Sequence, residues 1–204
     1  MADARPPKVY VVDDDAPMRE SLTWLIGSVG LEVETFADAA AFLDTYRAED
    51  PGCLVLDVRL PGMNGTELQR EMAGRGMTLP IIFITGHGEV QVATRVMKAG
   101  AIDLLEKPFS HQDLLDRIHE ALELDQKVRD RHARKQASRK VIECLSNRER
   151  EVLELVLEGS SSREIGEKLG ISRRTVEAHR AHMMEKTGAG SLVELMRIAM
   201  AAGT

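Results

Sequence analysis

Asp57 closes the apolar run Cys53-Leu54-Val55-Leu56, and two more carboxylates, Asp13 and Asp14, follow Val11-Val12. Thr85 closes Ile81-Ile82-Phe83-Ile84, and Lys107-Pro108 comes soon after Leu104-Leu105. Carboxylates brought together repel one another, and a divalent cation is the usual relief. Magnesium suits carboxylate oxygens plus water, and it neutralises charge on a transferring phosphoryl group. Thr85 can donate a hydrogen bond to one phosphoryl oxygen, and Lys107 can pair with another. Pro108 invites a cis peptide bond that would aim Lys107 inward. Alone, a strand-ending Asp is usually a turn residue and a Lys-Pro a surface turn. Their joint recurrence at four run ends points to an edge that presents one carboxylate to a phosphoryl donor.

The elements that would hold this edge are legible as periods. Lys8–Val12, Glu32–Phe36, Cys53–Leu56, Ile81–Ile84 and Ile102–Leu105 read as strands. Helical patterns lie between them. The first has Pro17 in its opening turn, carries Leu22, Leu25, Ile26 and Val29 on one face, and stops at Gly30. Asp15 reads as its N-cap. The second follows Asp38 and presents Ala41, Phe42 and Tyr46; the third starts at Gly65, and the fourth runs from about Glu89 to Ala99. The fifth opens at Ser110 with Asp113 three residues on. Repeated strand–helix units imply a parallel sheet covered on both faces, a flavodoxin-like (βα)5 arrangement with its site at the C-terminal strand ends.

The composition has two halves. Residues Asp125 to Thr204 hold 16 Lys and Arg against 12 Asp and Glu, a net of +4, while the remainder holds 11 against 21, a net of −10. An acidic front and a basic back suggest phosphate chemistry joined to a nucleic-acid binder. Hydrophobic content is 43%, enough for packed cores. No apolar run approaches the roughly 18–20 residues of a membrane span, and Met1–Pro7 has no apolar signal core. Cys53 and Cys144 lie far apart in apolar surroundings and read as buried free thiols. These features predict a cytoplasmic location without membrane contact.

Beyond Val128 the apolar period fades into Arg129-Asp130-Arg131-His132-Ala133-Arg134-Lys135 without Gly or Pro. Residues 125–143 therefore read as a solvated helical linker, continuous with the fifth helix. From there the chain is all-helical. Ser146 and Glu149 form a capping box, a short helix covers Arg163–Leu169, Gly170-Ile171-Ser172 makes a turn, and a helix follows from Arg173 to Lys186. Ile165, Leu169, Ile171, Val176 and Met183 would pack it; Leu192, Leu195, Met196 and Ala199 stripe the last helix.

Residues Lys8 to Leu124 closely resemble the receiver domain of two-component response regulators. The resemblance implies that Asp57 is the phosphoacceptor and that Asp13, Asp14 and Asp57 hold Mg2+ with the backbone carbonyl of Arg59. Thr85 and Lys107 would then read the phosphoryl group, and a sensor histidine kinase would be the donor. The protein would be no enzyme beyond its own phosphoryl transfer and slow autodephosphorylation. The family's switch aromatic is replaced by Leu104, and His87 occupies a position that tunes phosphoryl lifetime.

The segment from Leu145 through Arg180 looks like a LuxR-type helix-turn-helix domain of the NarL/FixJ class, closest to FixJ-like members. It implies contacts to double-stranded promoter DNA from Arg173, Arg174, Thr175, Glu177, His179, Arg180 and Lys186. Gly166 stands where that family usually has Ala. The expected organisation is a receiver over 1–124, a helical linker over 125–143 and an all-α helix-turn-helix domain over 144–204. The implied function is a transcription factor switched by Asp57 phosphorylation through homodimerisation, with RNA polymerase a further candidate partner. Two rivals stand beside it. One is a phosphorylation-independent regulator with a vestigial receiver. The other, a magnesium-dependent aspartyl-phosphate phosphatase, is disfavoured because no cap segment is present.

Overall fold

Side chains alternate across a strand, so a sheet buried on both faces needs apolar residues at odd and even positions alike. β1 (Lys8–Val12), β3 (Gly52–Asp57) and β4 (Ile81–Thr85) satisfy this, and all three lie in the middle of a parallel sheet. β2 (Glu32–Phe36) and β5 (Asp103–Glu106) form the edges, giving the order β2-β1-β3-β4-β5. The computed structural model describes residues 5–86 and 90–203, the side chains of 90–92 excepted. His87, expected to tune phosphoryl lifetime, lies outside the described residues.

One face of the sheet carries Tyr10, Val12, Leu54, Leu56 and Phe83. It is covered by α2 (Ala39–Thr45), α3 (Gly65–Gly74) and α4 (Val90–Lys98), through side chains such as Phe42, Leu68 and Val96. The other face carries Val9, Val11, Val55, Ile82 and Ile84, and packs against α1 (Ala16–Ser28) and α5 (His111–Glu143) through Leu22, Ile26, Leu114 and Ile118. Each fully buried aliphatic of this kind contributes about 1.5–3 kcal/mol. Two expected helix faces shift in detail. In α2, Ala39 and Leu43 are buried rather than Ala41, and in α1 Val29 lies at the exposed end. Asp15 does occupy the N-cap position of α1, but its side chain makes no capping bond.

The chain divides into two compact units, Met1–Val128 and Arg129–Thr204. α5 runs unbroken across that division, and the stretch expected as a solvated linker is anchored in each unit. Asp125 is buried, and its Oδ2 accepts from the Gly52 amide at 3.0 Å. Farther along, Ile142 is buried, and Arg139 Nε donates to the Ala202 carbonyl at 3.0 Å. The cysteines differ from expectation in one respect: Cys53 is buried, but Cys144 is exposed. Burial, with a smaller push from the Asp125 charge, raises the Cys53 thiol far above its ordinary range, so it stays protonated.

The second unit contains α6 (Asn147–Leu157), α7 (Ser162–Leu169), α8 (Arg173–Thr187) and α9 (Leu192–Ala202). Both α6 and α7 open on reciprocal capping boxes, Ser146 with Glu149 and Ser161 with Glu164. α7 ends at Gly170, whose φ of 67° is a left-handed C-cap that suits glycine. Val152, Leu153, Ile165, Val176, Met183 and Leu195 form the core. Gly166 has a packing reason. A Cβ there would lie 2.7 Å from the Ile171 carbonyl oxygen, so the turn folds tightly back onto α7. On α9, Leu195 and Ala199 are core, whereas Val193 and Met200 are large apolar side chains left outside.

Candidate functional site

In parallel strands every C-terminus points the same way, and where the strand order reverses a crevice opens outside those ends. Here the reversal lies between β1 and β3, so Asp13, just past β1, and Asp57, the last residue of β3, flank it. Register brings in the rest. Val58 N donates to the Ile84 carbonyl at 3.0 Å, and Lys107 N donates to the Thr85 carbonyl at 2.7 Å. The Lys107–Pro108 bond is cis.

Lys107 Nζ lies 2.5 Å from Asp57 Oδ2 and 3.0 Å from Asp13 Oδ2. Asp13, Asp57 and Thr85 are buried, while Asp14 is exposed at the rim. Oxygens of Asp13, Asp14 and Asp57 all lie within 4.8 Å of one another. Three carboxylates at that spacing, matched by one ammonium, form a donor set of hard oxygens that fits magnesium. Burial raises the Asp57 carboxyl above the usual range, and it outweighs the lowering by the Lys107 and Arg59 bonds; the Asp13 charge adds a smaller push upward. Burial alone would lower Lys107, but its bonds to Asp57 and Asp13 prevail and raise it, so it stays charged.

Several local features hold this geometry. Arg59 N donates to Asp57 Oδ1 at 2.8 Å, and Asp15 N donates to Asp13 Oδ1 at 2.8 Å, fixing both carboxylates from the backbone. Gly65 N donates to the Val58 carbonyl at 3.0 Å, and a Cβ at Gly65 would stand 2.3 Å from the Asp57 carbonyl oxygen. Asn64 and Glu67 form the capping box that starts α3 just there. Thr85 Oγ1 donates to the Gly86 carbonyl at 3.3 Å. Leu104, at the switch-aromatic position, is half-buried against the sheet face that α2, α3 and α4 cover. Arg19 was not legible beforehand: its guanidinium donates to the Asp13 carbonyl at 2.6 Å. Its spacing of six from Asp13 carries no recognisable signal.

The predicted DNA-contact residues sort unevenly on α8. Arg173, Arg174, Thr175 and Glu177 are exposed in its first turns, and Arg173 pairs with Glu177 at 2.8 Å. Thr175 is engaged in capping, with its amide and hydroxyl both near Ser172 Oγ. His179 and Arg180 are half-buried, and Arg180 donates to Ser162 Oγ at 2.7 Å. Lys186 holds the buried Glu149 at 2.8 Å, so one of its donors is engaged within the unit. Burial would raise the Glu149 carboxyl, but the Lys186 and Ser146 bonds dominate and hold it at about 2. Ala178, Ala181 and His182, outside the predicted set, also lie on the exposed face; their offset from buried Val176 and Met183 places them there.

Residues 9–119 match the family model of the response regulator receiver domain, and residues 143–199 match that of bacterial regulatory proteins of the luxR family. The chain is a two-component response regulator. Among its relatives, the transcriptional regulatory protein TdiR of Thauera aromatica is 45% identical over 192 residues, spanning 94% of this chain and 85% of TdiR. The transcriptional regulatory protein FixJ of Bradyrhizobium diazoefficiens is 44% identical, spanning 96% of this chain and 95% of FixJ. The solved structure of the response regulator StyR superposes with a TM-score of 0.86 at 42% identity, covering 96% of this regulator and 98% of that chain. The regulator thus joins a receiver to a LuxR-type DNA-binding domain, as its relatives among the two-component transcriptional regulators do. None of its helices, among the described residues, is long and apolar enough to cross a membrane.

Proposed function

We propose that Asp57 is the phosphoacceptor of a switch that controls promoter binding by the second unit. The observation that carries this reading is the convergence of Asp13, Asp14, Asp57 and Lys107 on one sheet edge, with Lys107 2.5 Å from Asp57. In the transfer, an Asp57 carboxylate oxygen attacks the phosphorus of a phosphohistidine on the sensor kinase. The new O–P bond forms as the N–P bond breaks, and the imidazole leaves and later takes a proton from water. Asp13, Asp14, Asp57 and the Arg59 carbonyl would hold Mg2+, which supplies charge neutralisation on the phosphoryl oxygens. Lys107 moves from carboxylate pairing to phosphoryl pairing, and Thr85 donates its hydroxyl to another phosphoryl oxygen. Beyond this self-directed transfer and slow hydrolysis the protein is not an enzyme.

The output follows from linkage. A phosphoryl group that binds the active arrangement better shifts the population toward it. With Leu104 in place of an aromatic, the switch relies on Thr85 and the fourth helix with its preceding loop. The active state forms a homodimer, which sets two α8 helices on paired half-sites of promoter DNA. Arg173, Arg174, Thr175 and Glu177 form the leading end of that contact. His179 and Arg180 flank it, and Lys186 offers its remaining N–H groups to a phosphate. Val193 and Met200, exposed on α9, extend the dimer surface. The receiver spans 1–124, the connecting helix 125–143 and the DNA-binding domain 144–204; the protein works in the cytoplasm, with RNA polymerase a downstream partner.

The test is DNA affinity and oligomeric state with and without magnesium plus acetyl phosphate, for wild type and Asp57→Asn. The reading expects dimers and tighter binding with the donor in wild type alone. Equal behaviour of the two proteins would make the receiver vestigial and return the regulator to a phosphorylation-independent binder.

A further inference from the structure

α8 presents two unlike faces. Val176 and Met183 are fully buried, and Arg180 reaches across to Ser162 on α7. The opposite, exposed face is formed by Arg174, Glu177, Ala178, Ala181 and His182, at the spacing of one helical stripe. For a surface that meets a polyanion this face is poor in positive charge. These five residues hold one permanent cation, one carboxylate and two methyl groups, and exposed Glu185, the next position of the stripe, adds a second carboxylate. Arg173, beside the stripe, is drawn onto Glu177 at 2.8 Å rather than held outward alone.

A carboxylate carried into a groove walled by phosphates costs affinity unless it finds a hydrogen-bond donor there. The major groove offers amino donors on cytosine N4 and adenine N6. Adenine also presents its N7 acceptor beside N6, which suits an amide; a carboxylate has no donor for N7, whereas cytosine asks only for an acceptor. Alanine side chains, which have no polar atom, complement the thymine 5-methyl and let the helix backbone come close. We infer that α8 reads promoter DNA by an acidic–apolar code, in which Glu177 selects cytosine through its N4 amino group and Ala178 and Ala181 meet neighbouring thymine methyls. Arg173, released from Glu177 on binding, and Arg174 supply the phosphate or guanine contacts around it. The inference rests on α8 being the recognition helix, and it adds the base class and the readers.

The full-length protein with magnesium and acetyl phosphate would be used to select bound duplexes from a random pool, as wild type, Glu177→Ala and Glu177→Gln. Wild type is expected to enrich cytosine at one fixed position per half-site. Glu177→Ala should lose that preference by about tenfold, keep the rest of the motif, and bind mixed-sequence DNA at least as tightly. Glu177→Gln should move the preference toward adenine. Replacing the adjacent thymines by uracil, which removes only the methyls, should weaken wild-type binding severalfold. An unchanged cytosine preference in Glu177→Ala, or indifference to uracil, overturns the code while leaving α8 as the recognition helix. Wild type that enriches no motif overturns both readings. Glu177 is an exposed side chain whose partner is still more exposed, so neither variant threatens the fold.

Discussion

Asp57 and Glu177 are both carboxylates with a cationic partner, at 2.5 Å to Lys107 and 2.8 Å to Arg173. Their surroundings are opposite. Asp57 is 8% exposed, and its partner is shared with Asp13; burial pushes its carboxyl up. The Glu177 side chain is 51% exposed, on a helix face open to water. The receiver site is therefore a place where the fold forces charges together at a cost, which the proposed cation and phosphoryl group would relieve. The α8 face is a place where the fold imposes little and leaves side chains to be ordered by a partner. The backbone leaves little freedom at the first carboxylate and much at the second.

That contrast can be broken most forcefully at Lys107. Lys107→Ala leaves Asp13 and Asp57 facing each other without their cation, and the receiver should lose stability toward the lower end of about 3–5 kcal/mol, since Lys107 is part-exposed. Millimolar magnesium should restore part of it; urea unfolding with and without the ion checks this. The equivalent removal on α8, Arg173→Ala, should leave stability within about 0.5 kcal/mol. Equal losses at the two sites would sink the comparison.

Gly65 sharpens it next. Gly65→Ala sets a Cβ against the Asp57 carbonyl, so the receiver should lose about 1–3 kcal/mol and the rate of phosphoryl uptake from acetyl phosphate should fall. Unfolding and phosphorylation kinetics of the full chain would report both.

Glu149 provides a pH test within the second unit. Its folded carboxyl is held at about 2, below an ordinary value of 4.5. A depressed carboxyl adds stability that is complete above the unfolded value and is lost as pH falls toward the folded one. Hydrogen-exchange protection of α6 and α8 amides, taken relative to the intrinsic rate at each pH, should thus fall between pH 4.5 and 2 in wild type. Glu149→Gln should flatten that dependence, and the same slope in both proteins would remove Glu149 as its origin. A small net effect is expected at Gly166→Ala. Better helix propensity, worth about 1 kcal/mol, opposes the 2.7 Å approach to Ile171, and thermal melting should move by only a few degrees.

Much of this was legible because its signals are local. Apolar runs ending in Asp13, Asp57 and Thr85 announce strands and what lies beyond them, and Ser146 with Glu149 announces a helix start. The linker was less legible. Its polar composition suggested solvent, but Asp125 is buried on Gly52 and Arg139 is tied to Ala202, partners 73 and 63 residues away in the chain. A side chain's destination at that range leaves no periodic trace. Lys186 has a second tie of the same kind: a cation on a basic helix suggests phosphate, and its 37-residue reach to Glu149 is invisible in composition.

The amino-acid order by itself determined the element types, the parallel sheet and the roster of charged groups at its edge, because hydrophobic period and turn chemistry act over a few residues. Only the tertiary structure decided which of those charges meet. The distance of Lys107 from Asp57, the slot that admits nothing larger than Gly65, and the face of α8 that remains outside all depend on packing between segments far apart in sequence. Close packing makes those distances unique, and no local rule contains them.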